Sequence, residues 1–301
     1  MTLKKYIKKV ATGPKGNSDL TLEEASDMMK LLLSDDVSDV EKASFLVGWR
    51  LKPETNLEYK GALKSIYDLS KKTIVEKSFE LGFPFDGKND SPYLFPHTAK
   101  FLSKVGVRLV ITGCERIPAK DGLTTRVVVE ELKKNGMLLD FHYFDRKDYL
   151  PNLTKLSEMR NQIGLRTALN TLEKFSKVAQ SQYGASGVFH KPYVNKYADI
   201  FKEELTRFML IAGNEGTPEL CKKSKVWIVE NDEMNEFLVD PEEFGIFPEN
   251  FLEDTKEEEK IKCILEPTEN QLKLARLNAA LYLLVINKES NLKDNYNLLM
   301  E

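Results

Sequence analysis

Four loops hold the residues whose types and spacing could do chemistry. Gly82-Phe83-Pro84-Phe85-Asp86-Gly87 sets two glycines and an acid between structured segments. A phosphate cradle needs small residues, so that backbone N–H groups can reach the anion. Phe83, Pro84 and Phe85 fill that room, and Pro84 also removes a donor; the bulk favours a tight structural turn. The second loop, Gly113 to Thr125, follows a β-rich run and leads into a helix, a placement that suits an anion. It offers Lys120, Gly122, Thr124 and Thr125, with Arg126 next in line. The third, Arg160 to Thr167, holds Arg160 and Arg166 six residues apart. On a helix they do not share a face closely, so one can pair structurally while the other faces a cleft. The fourth, Gly213 to Glu219, carries Glu215 and Glu219, which could bind a metal, although loop carboxylates are more often simply solvated. His97, His142 and His190 are dispersed, and no HExxH, Cys/His zinc spacing, GxSxG or Walker pattern occurs. No residue stands out as catalytic.

The elements that must position these loops change character along the chain. Up to about residue 75 the pattern is one of short amphipathic helices. Capping boxes mark three starts, at Thr21 with Glu24, Ser38 with Glu41, and Thr55 with Glu58. Apolar residues follow at helical spacing, as in Met28, Leu31 and Leu32, or Phe45, Leu46 and Trp49. Beyond, Thr98–Lys104 and Val127–Lys134 read as helices. Val107–Thr112, Leu138–Phe144, Phe208–Ala212 and Val226–Val229 read as strands, the last two as buried ones. A second helical insert spans Leu156–Lys177, and a long last helix starts at Thr268 and runs to about Ile286. Strands alternating with helices predict an α/β fold, a mostly parallel sheet flanked by helices, beside a small all-α domain. The expected division is 1–73 plus 152–186 for the helical domain and 74–151 plus 187–301 for the α/β domain.

Composition excludes several classes. At 301 residues, 42% hydrophobic and 30% charged, the chain has ample material for a core. Cys114, Cys221 and Cys263 are too few and too scattered for a disulfide framework. The basic stretch Met1–Val10 lacks the apolar region of a signal peptide, and the longest apolar run, Leu281–Ile286, is too short to span a bilayer. A cytoplasmic protein without membrane contact is expected. Charge is asymmetric. Residues 1–200 carry 32 Lys/Arg against 25 Asp/Glu, whereas residues 201–301 carry 12 against 22, much of the acid lying in Glu230–Glu259, which reads as a loop-rich solvated surface. A polyanion would have to use the first two-thirds.

Taken in order, the helical start from Thr21 to Thr55 and the four loops resemble anthranilate phosphoribosyltransferase, of the glycosyltransferase family 3 fold (nucleoside phosphorylase/phosphoribosyltransferase class III-like). That family carries GTGGDG, then KHGNRSVSSKSGSAD, then RxxLGxRTxFNxLGPL, then a loop ending in Asp-Glu. Of the first motif this chain keeps Gly82, Asp86 and Gly87; of the Asn, Ser and Thr ligands after it, only Thr98 is a plausible remnant. Of the second it keeps Gly113, Lys120 and Gly122, while the His and Asn facing the amine substrate fall on Thr112 and Cys114. Of the third it keeps Arg160, Gly164, Arg166, Thr167 and Asn170, with Glu173 and Lys174 where the family has Gly-Pro. The metal-binding pair falls on Pro218-Glu219, which leaves Glu219 as a weak metal candidate. These losses together would remove about 3–6 kcal/mol of leaving-group stabilisation.

The resemblance is nearest to a degenerate paralogue group with sequences such as GYPYDG in the first loop. It implies a homodimer joined through the helical domain, some members binding DNA through basic residues near the old cleft. The expected function is therefore a catalytically degenerate protein binding DNA or RNA through a basic inter-domain cleft. Its candidate contacts are Lys120, Arg126, Arg160, Arg166, Lys174 and Lys177, with Lys88 and Lys191 weaker. The alternative is a pentosyltransferase using phosphoribosyl diphosphate and Mg2+ on an altered acceptor, with Phe83, Phe85 and Tyr93 lining a pocket for a flat ring. A module for another small molecule or protein is a third reading, on which the sequence gives no handle. Outside the transferase reading no cofactor is implied.

Overall fold

The computed structural model describes residues 2–117, 120–247 and 256–300. Local capping builds the helical start. Thr21 and Thr55 each accept from the amide three residues on, and Glu24 and Glu58 reach back, so both boxes close. Ser38 accepts from the Glu41 amide, but Glu41 turns instead to the Leu3 amide at 2.9 Å, tying the first helix to the third. The four helices are Lys4–Val10, Leu22–Leu32, Asp39–Leu51 and Asn56–Leu69. Glu58 is fully buried among them, where it also takes hydrogen bonds from the Leu20 amide and the Trp49 indole. At Gly61 a Cβ would meet the Leu22 carbonyl oxygen at 2.2 Å, so this glycine sets how closely the second and fourth helices pack.

The remainder forms one seven-stranded sheet in the order β3-β2-β1-β4-β5-β6-β7. The strands are β1 (Ser78–Gly82), β2 (Arg108–Gly113), β3 (Phe141–Asp145), β4 (Tyr183–Val188), β5 (Arg207–Ala212), β6 (Ser224–Glu230) and β7 (Glu233–Val239). β1 to β5 run parallel, and β6 and β7 pair antiparallel on one edge. Alternation along the strands splits the core in two. Leu109, Ile111, Met209 and Ile211 face the helices Phe95–Lys104, Thr125–Lys134 and Glu269–Ile286. Val110, Phe208, Leu210 and Trp227 face the other way, into a cluster continuous with the helical start.

The insert after β3 is a chain of short helices, Pro151–Thr154, Ser157–Ile163 and Leu169–Leu172, whose Leu153, Leu156, Leu169 and Leu172 join that second cluster. The expected boundary at residue 186 falls inside β4. All of β4 pairs with β5, so the strand belongs to the sheet. The acidic stretch Glu230–Glu259 is not all loop: it includes β7, an edge strand whose charged residues keep it soluble. Residues 248–255 of that stretch lie outside the described residues. No helix among the described residues is long and apolar enough to cross a membrane.

Candidate functional site

The loop after β1 turns inward. Phe83, Tyr93 and Phe95 are buried and pack edge to face, with ring centroids 5.1 to 5.6 Å apart. Phe83 and Tyr93 therefore do not line a ring-binding pocket, and Phe85, expected beside them, is buried instead against Cys114 and Ile117; burying aromatic rings outweighs leaving them at a cleft. Beneath the three-ring cluster Lys88 and Glu219 form a salt bridge of 2.9 Å, both fully buried. The other Glu219 oxygen accepts from the amides of Leu94 and Phe95 at 2.8 and 2.7 Å, capping the helix that follows. Burial works to depress the Lys88 ammonium, yet the adjoining Glu219 carboxylate holds it above its ordinary range. Removing either partner would strand a charge in the core.

This arrangement decides how a magnesium ion would fare. Glu219 has spent both oxygens on protein donors, and among the described residues no group of three His, Cys, Asp or Glu side chains is placed to hold a metal. The residues present do not fit the ion. The glycines are likewise committed to packing. A Cβ at Gly82 would meet the Lys174 carbonyl oxygen at 2.6 Å, one at Gly113 the Thr125 hydroxyl at 2.4 Å, and one at Gly122 the Lys88 amide at 2.7 Å. Gly87 sits at φ +81° against Gly122, a conformation an L residue rarely takes. The Thr98 hydroxyl donates within the fold, to the carbonyls of Leu94 and Ala275.

Open space lies beside this plug, between the two parts of the molecule. A cavity of about 280 Å³ is bounded by Arg50 and Tyr59 from the helical start, Pro84 after β1, Arg166 and Lys174 from the insert, and Phe189 after β4. The segment carrying Lys174 is held by Glu80 on β1, whose buried carboxylate accepts from the Ser176 amide at 2.7 Å and from the Lys177 amide at 3.1 Å. The Lys174 ammonium donates to the carbonyls of Gly187 and Gly216, at 2.9 and 3.1 Å, and to the Ser186 hydroxyl. Burial, seconded by the nearby charges of Arg166 and Lys120, pushes its pKa down to about 7. Phe189 is 65% exposed on the rim, with His190 edge-on to it.

The structure sorts the six candidate cations unequally. Arg166 and Lys174 reach the cavity, and Arg166 pairs with the buried Asp86 at 2.7 Å. Arg160 is buried on Glu173, which also takes Arg146, so that one carboxylate serves two guanidinium groups and is held below its ordinary range despite its burial. Lys120 pairs with Glu215, Lys177 with Glu204, and Arg126 with Glu130, Glu115 and Asp145. Thus a continuous basic wall does not form: four of the six are turned to carboxylates, and of these acids Glu215, the partner of Lys120, borders the cavity. The sequence reading missed these acids as partners, and it missed Tyr59, Tyr193 and Tyr197 as cavity walls. Glu215 and Glu219, read together as a metal pair, go to different places, Glu215 to the amides of Asn89 and Asp90 and Glu219 to Lys88.

Comparison with known proteins agrees with this architecture. Residues 4–70 match the family model described as glycosyl transferase family, helical bundle domain, and residues 123–301 match glycosyl transferase family, a/b domain. An uncharacterized protein of Aquifex aeolicus is 32% identical over 73% of this chain and 74% of its own length. The anthranilate phosphoribosyltransferase of Saccharolobus islandicus is 23% identical over 98% of this chain and 88% of its own. Among solved structures, anthranilate phosphoribosyltransferase from Saccharomyces cerevisiae in complex with PRPP and Mg superposes with a TM-score of 0.77 at 16% identity, covering 99% of this chain and 92% of that one. The enzyme from Thermus thermophilus gives 0.73 at 19% identity, over 94% and 90%. With a helical bundle and an a/b sheet both matched and in the same order, the chain belongs to this glycosyl transferase family and is anthranilate phosphoribosyltransferase-like.

Proposed function

We propose that this chain has left phosphoribosyl transfer and uses the inter-domain cleft to bind a nucleic-acid strand. The observation that carries the reading is the buried Lys88–Glu219 pair under the Phe83, Tyr93 and Phe95 cluster. A sugar diphosphate with its metal would need open carboxylates and approachable backbone at that place. The cleft beside it supplies a different chemistry. Lys174 and Arg166 offer charge to a phosphate, and the exposed Phe189 offers a face on which a base can stack. A cytoplasmic homodimer joined through the helical domain goes with this reading. Val40 and Leu51, 76% and 74% exposed on the third helix, are the apolar surface it would cover. Light scattering that returns a single 34.5 kDa chain at micromolar concentration would rule the dimer out.

Fluorescence anisotropy with a labelled oligothymidylate tests the strand. Binding is expected at about 50 mM salt and should weaken steeply toward about 200 mM, because phosphate contacts dominate. Lys174→Ala should lower the salt slope by about one. No binding at the lower salt overturns the proposal. The second reading, a pentosyltransferase with an altered acceptor, draws on the likeness to a yeast enzyme solved with PRPP and Mg. Thermal denaturation with phosphoribosyl diphosphate and Mg2+ separates the two. Unchanged melting at millimolar ligand supports the strand reading, and a rise of several degrees restores the transferase.

A further inference from the structure

Lys88, Lys120 and Lys177 each pair with a glutamate, at 2.9, 3.2 and 3.3 Å. Lys174 does not. Its Nζ donates to neutral oxygens, the Gly187 carbonyl at 2.9 Å, the Gly216 carbonyl at 3.1 Å and the Ser186 hydroxyl at 3.3 Å, and among the described residues no carboxylate forms an ion pair with it. Lys174, Gly187 and Gly216 all border the cavity. So does Tyr197, whose ring centroid lies 5.4 Å from the Nζ, and the nitrogen therefore stands in the cavity wall. The residue is fixed from both sides. Glu173 before it accepts from Arg146 and Arg160, and Glu80 on β1 holds the Ser176 and Lys177 amides after it. An amine fixed at a cavity wall, without a counter-ion and beside a second cation, Arg166, is arranged as a nucleophile.

We infer that Lys174 is the nucleophile of a carbonyl-capturing site, and that its ligand is an aldehyde, which it binds as a Schiff base. The neutral amine adds its lone pair to the carbonyl carbon. Both amine protons pass to the carbonyl oxygen, which leaves as water, and a C=N bond replaces C=O. Burial, with Arg166 and Lys120 nearby, brings the amine's pKa down to about 7. About half of it is then free base at neutral pH, where an exposed lysine is almost wholly protonated. The other groups facing it do not reverse this. Asp86 is paired with Arg166, Glu215 is turned to the amides of Asn89 and Asp90, and across the cavity Glu54 is paired with Arg50. His190 stays at the rim against Phe189, and burial pushes the Tyr197 hydroxyl up to about 12. Lys174 is 5% exposed, which keeps bulk water from the imine once it has formed. Arg166 on the same wall favours an aldehyde that carries a negative charge, on a small sugar phosphate or on the opened sugar of an abasic nucleotide. The inference needs the cleft alone and does not depend on strand binding.

The test is reductive trapping with sodium cyanoborohydride and limiting aldehyde, followed by peptide mapping in a mass spectrometer. One arm uses glycolaldehyde phosphate, the other an oligothymidylate carrying a single abasic site. The reductant supplies the hydride that turns the imine into a stable secondary amine, so the trapped peptide gains the mass of the aldehyde less one oxygen atom. At neutral pH Lys174 should be labelled about ten-fold faster than exposed lysines. That lead should shrink as pH rises above 7, because exposed lysines go on gaining free base while Lys174 levels off. Lys174→Arg, which keeps a charge, and Lys174→Met should both lose the label, and mapping of the wild-type protein decides the matter even if neither variant melts cooperatively. A label in one arm alone supports the inference and identifies the source of the aldehyde. Lys174 labelled no faster than exposed lysines in both arms overturns it. Intact oligothymidylate bound by a protein that traps neither aldehyde would sink this inference and leave the strand reading standing; the small aldehyde trapped without any strand binding would do the reverse.

Discussion

Glu219 and Glu215 lie four residues apart on one loop, and each accepts two backbone amides and faces a lysine. Their surroundings make them opposites. Glu219 is sealed under three aromatic rings with Lys88 equally buried, on a backbone of ordinary angles. Glu215 borders the cavity, its lysine is partly exposed, and its own backbone is left-handed. The same contact pattern is therefore a lock in one place and a partly open pair in the other. What separates them is whether water and a competing anion can reach the donors, since an accessible ion pair contributes little and a sealed one is costly to break.

The strongest way to break this comparison is at the lock. Lys88→Met leaves the Glu219 carboxylate buried with amides alone, and should cost about 3–5 kcal/mol by urea denaturation. Lys88→Met/Glu219→Leu, which removes both charges, should recover part of that loss. If the single substitution costs less than a surface pair does, water reaches the site and the diphosphate pocket is not closed. On the open side, Phe189→Ala should leave stability unchanged, because the ring is exposed, and should weaken strand binding by about 1–3 kcal/mol in anisotropy titrations. Equal affinity would remove the rim from the binding surface.

Much of the fold was readable locally. Thr21, Thr55 and Thr268 begin their helices with closed capping boxes, as their spacing to Glu24, Glu58 and Gln271 indicated. The α/β class followed from Val107–Thr112 and its neighbours, because β-branched runs alternating with helical ones leave few other solutions. β4 was not readable. Tyr183-Gly184-Ala185-Ser186-Gly187-Val188 lacks a strand's composition, and it is a strand because its glycines let neighbours close in. A Cβ at Gly184 would meet the Glu80 carbonyl oxygen at 2.7 Å, and one at Gly187 the Thr217 carbonyl oxygen at 2.1 Å. β7 was hidden by its charges, which an edge strand tolerates. In the site, the six-residue spacing of Arg160 and Arg166 anticipated that one would pair and the other reach a cleft, but not for the helical reason, since the helix ends at Ile163, before Arg166. It could not say that Glu173 takes both Arg160 and Arg146, which come from separate elements and meet only in the folded chain. Phe83, Phe85 and Tyr93 were placed on a pocket wall because a loop position looks exposed, whereas burial of their area draws Phe83 and Tyr93 against the sheet and Phe85 against Cys114 and Ile117.

The smallest expected effect sharpens the comparison at Lys174, which belongs to the open side by position and to the closed side by burial. Its pKa in the folded chain is about 7, well below that of a lysine in the unfolded chain. Below pH 7 both states are protonated, and the cost of burying the ammonium is fully present. Between that pH and the ordinary lysine range the unfolded chain holds the extra proton, so unfolding becomes harder as pH rises, by up to about 1.4 kcal/mol per pH unit. Lys174→Met should abolish that slope in urea titrations taken above neutral pH. Strand affinity should move the other way, falling in the wild-type protein as Lys174 loses its charge and staying flat in the variant. The Gly187 and Gly216 carbonyls that accept from the ammonium are neutral, and Asp86, the one acid that favours its charge, is already taken by Arg166. A stability slope that vanishes with Lys174 while the affinity profile does not would make this residue a structural pin, leaving Arg166 to carry the phosphate alone.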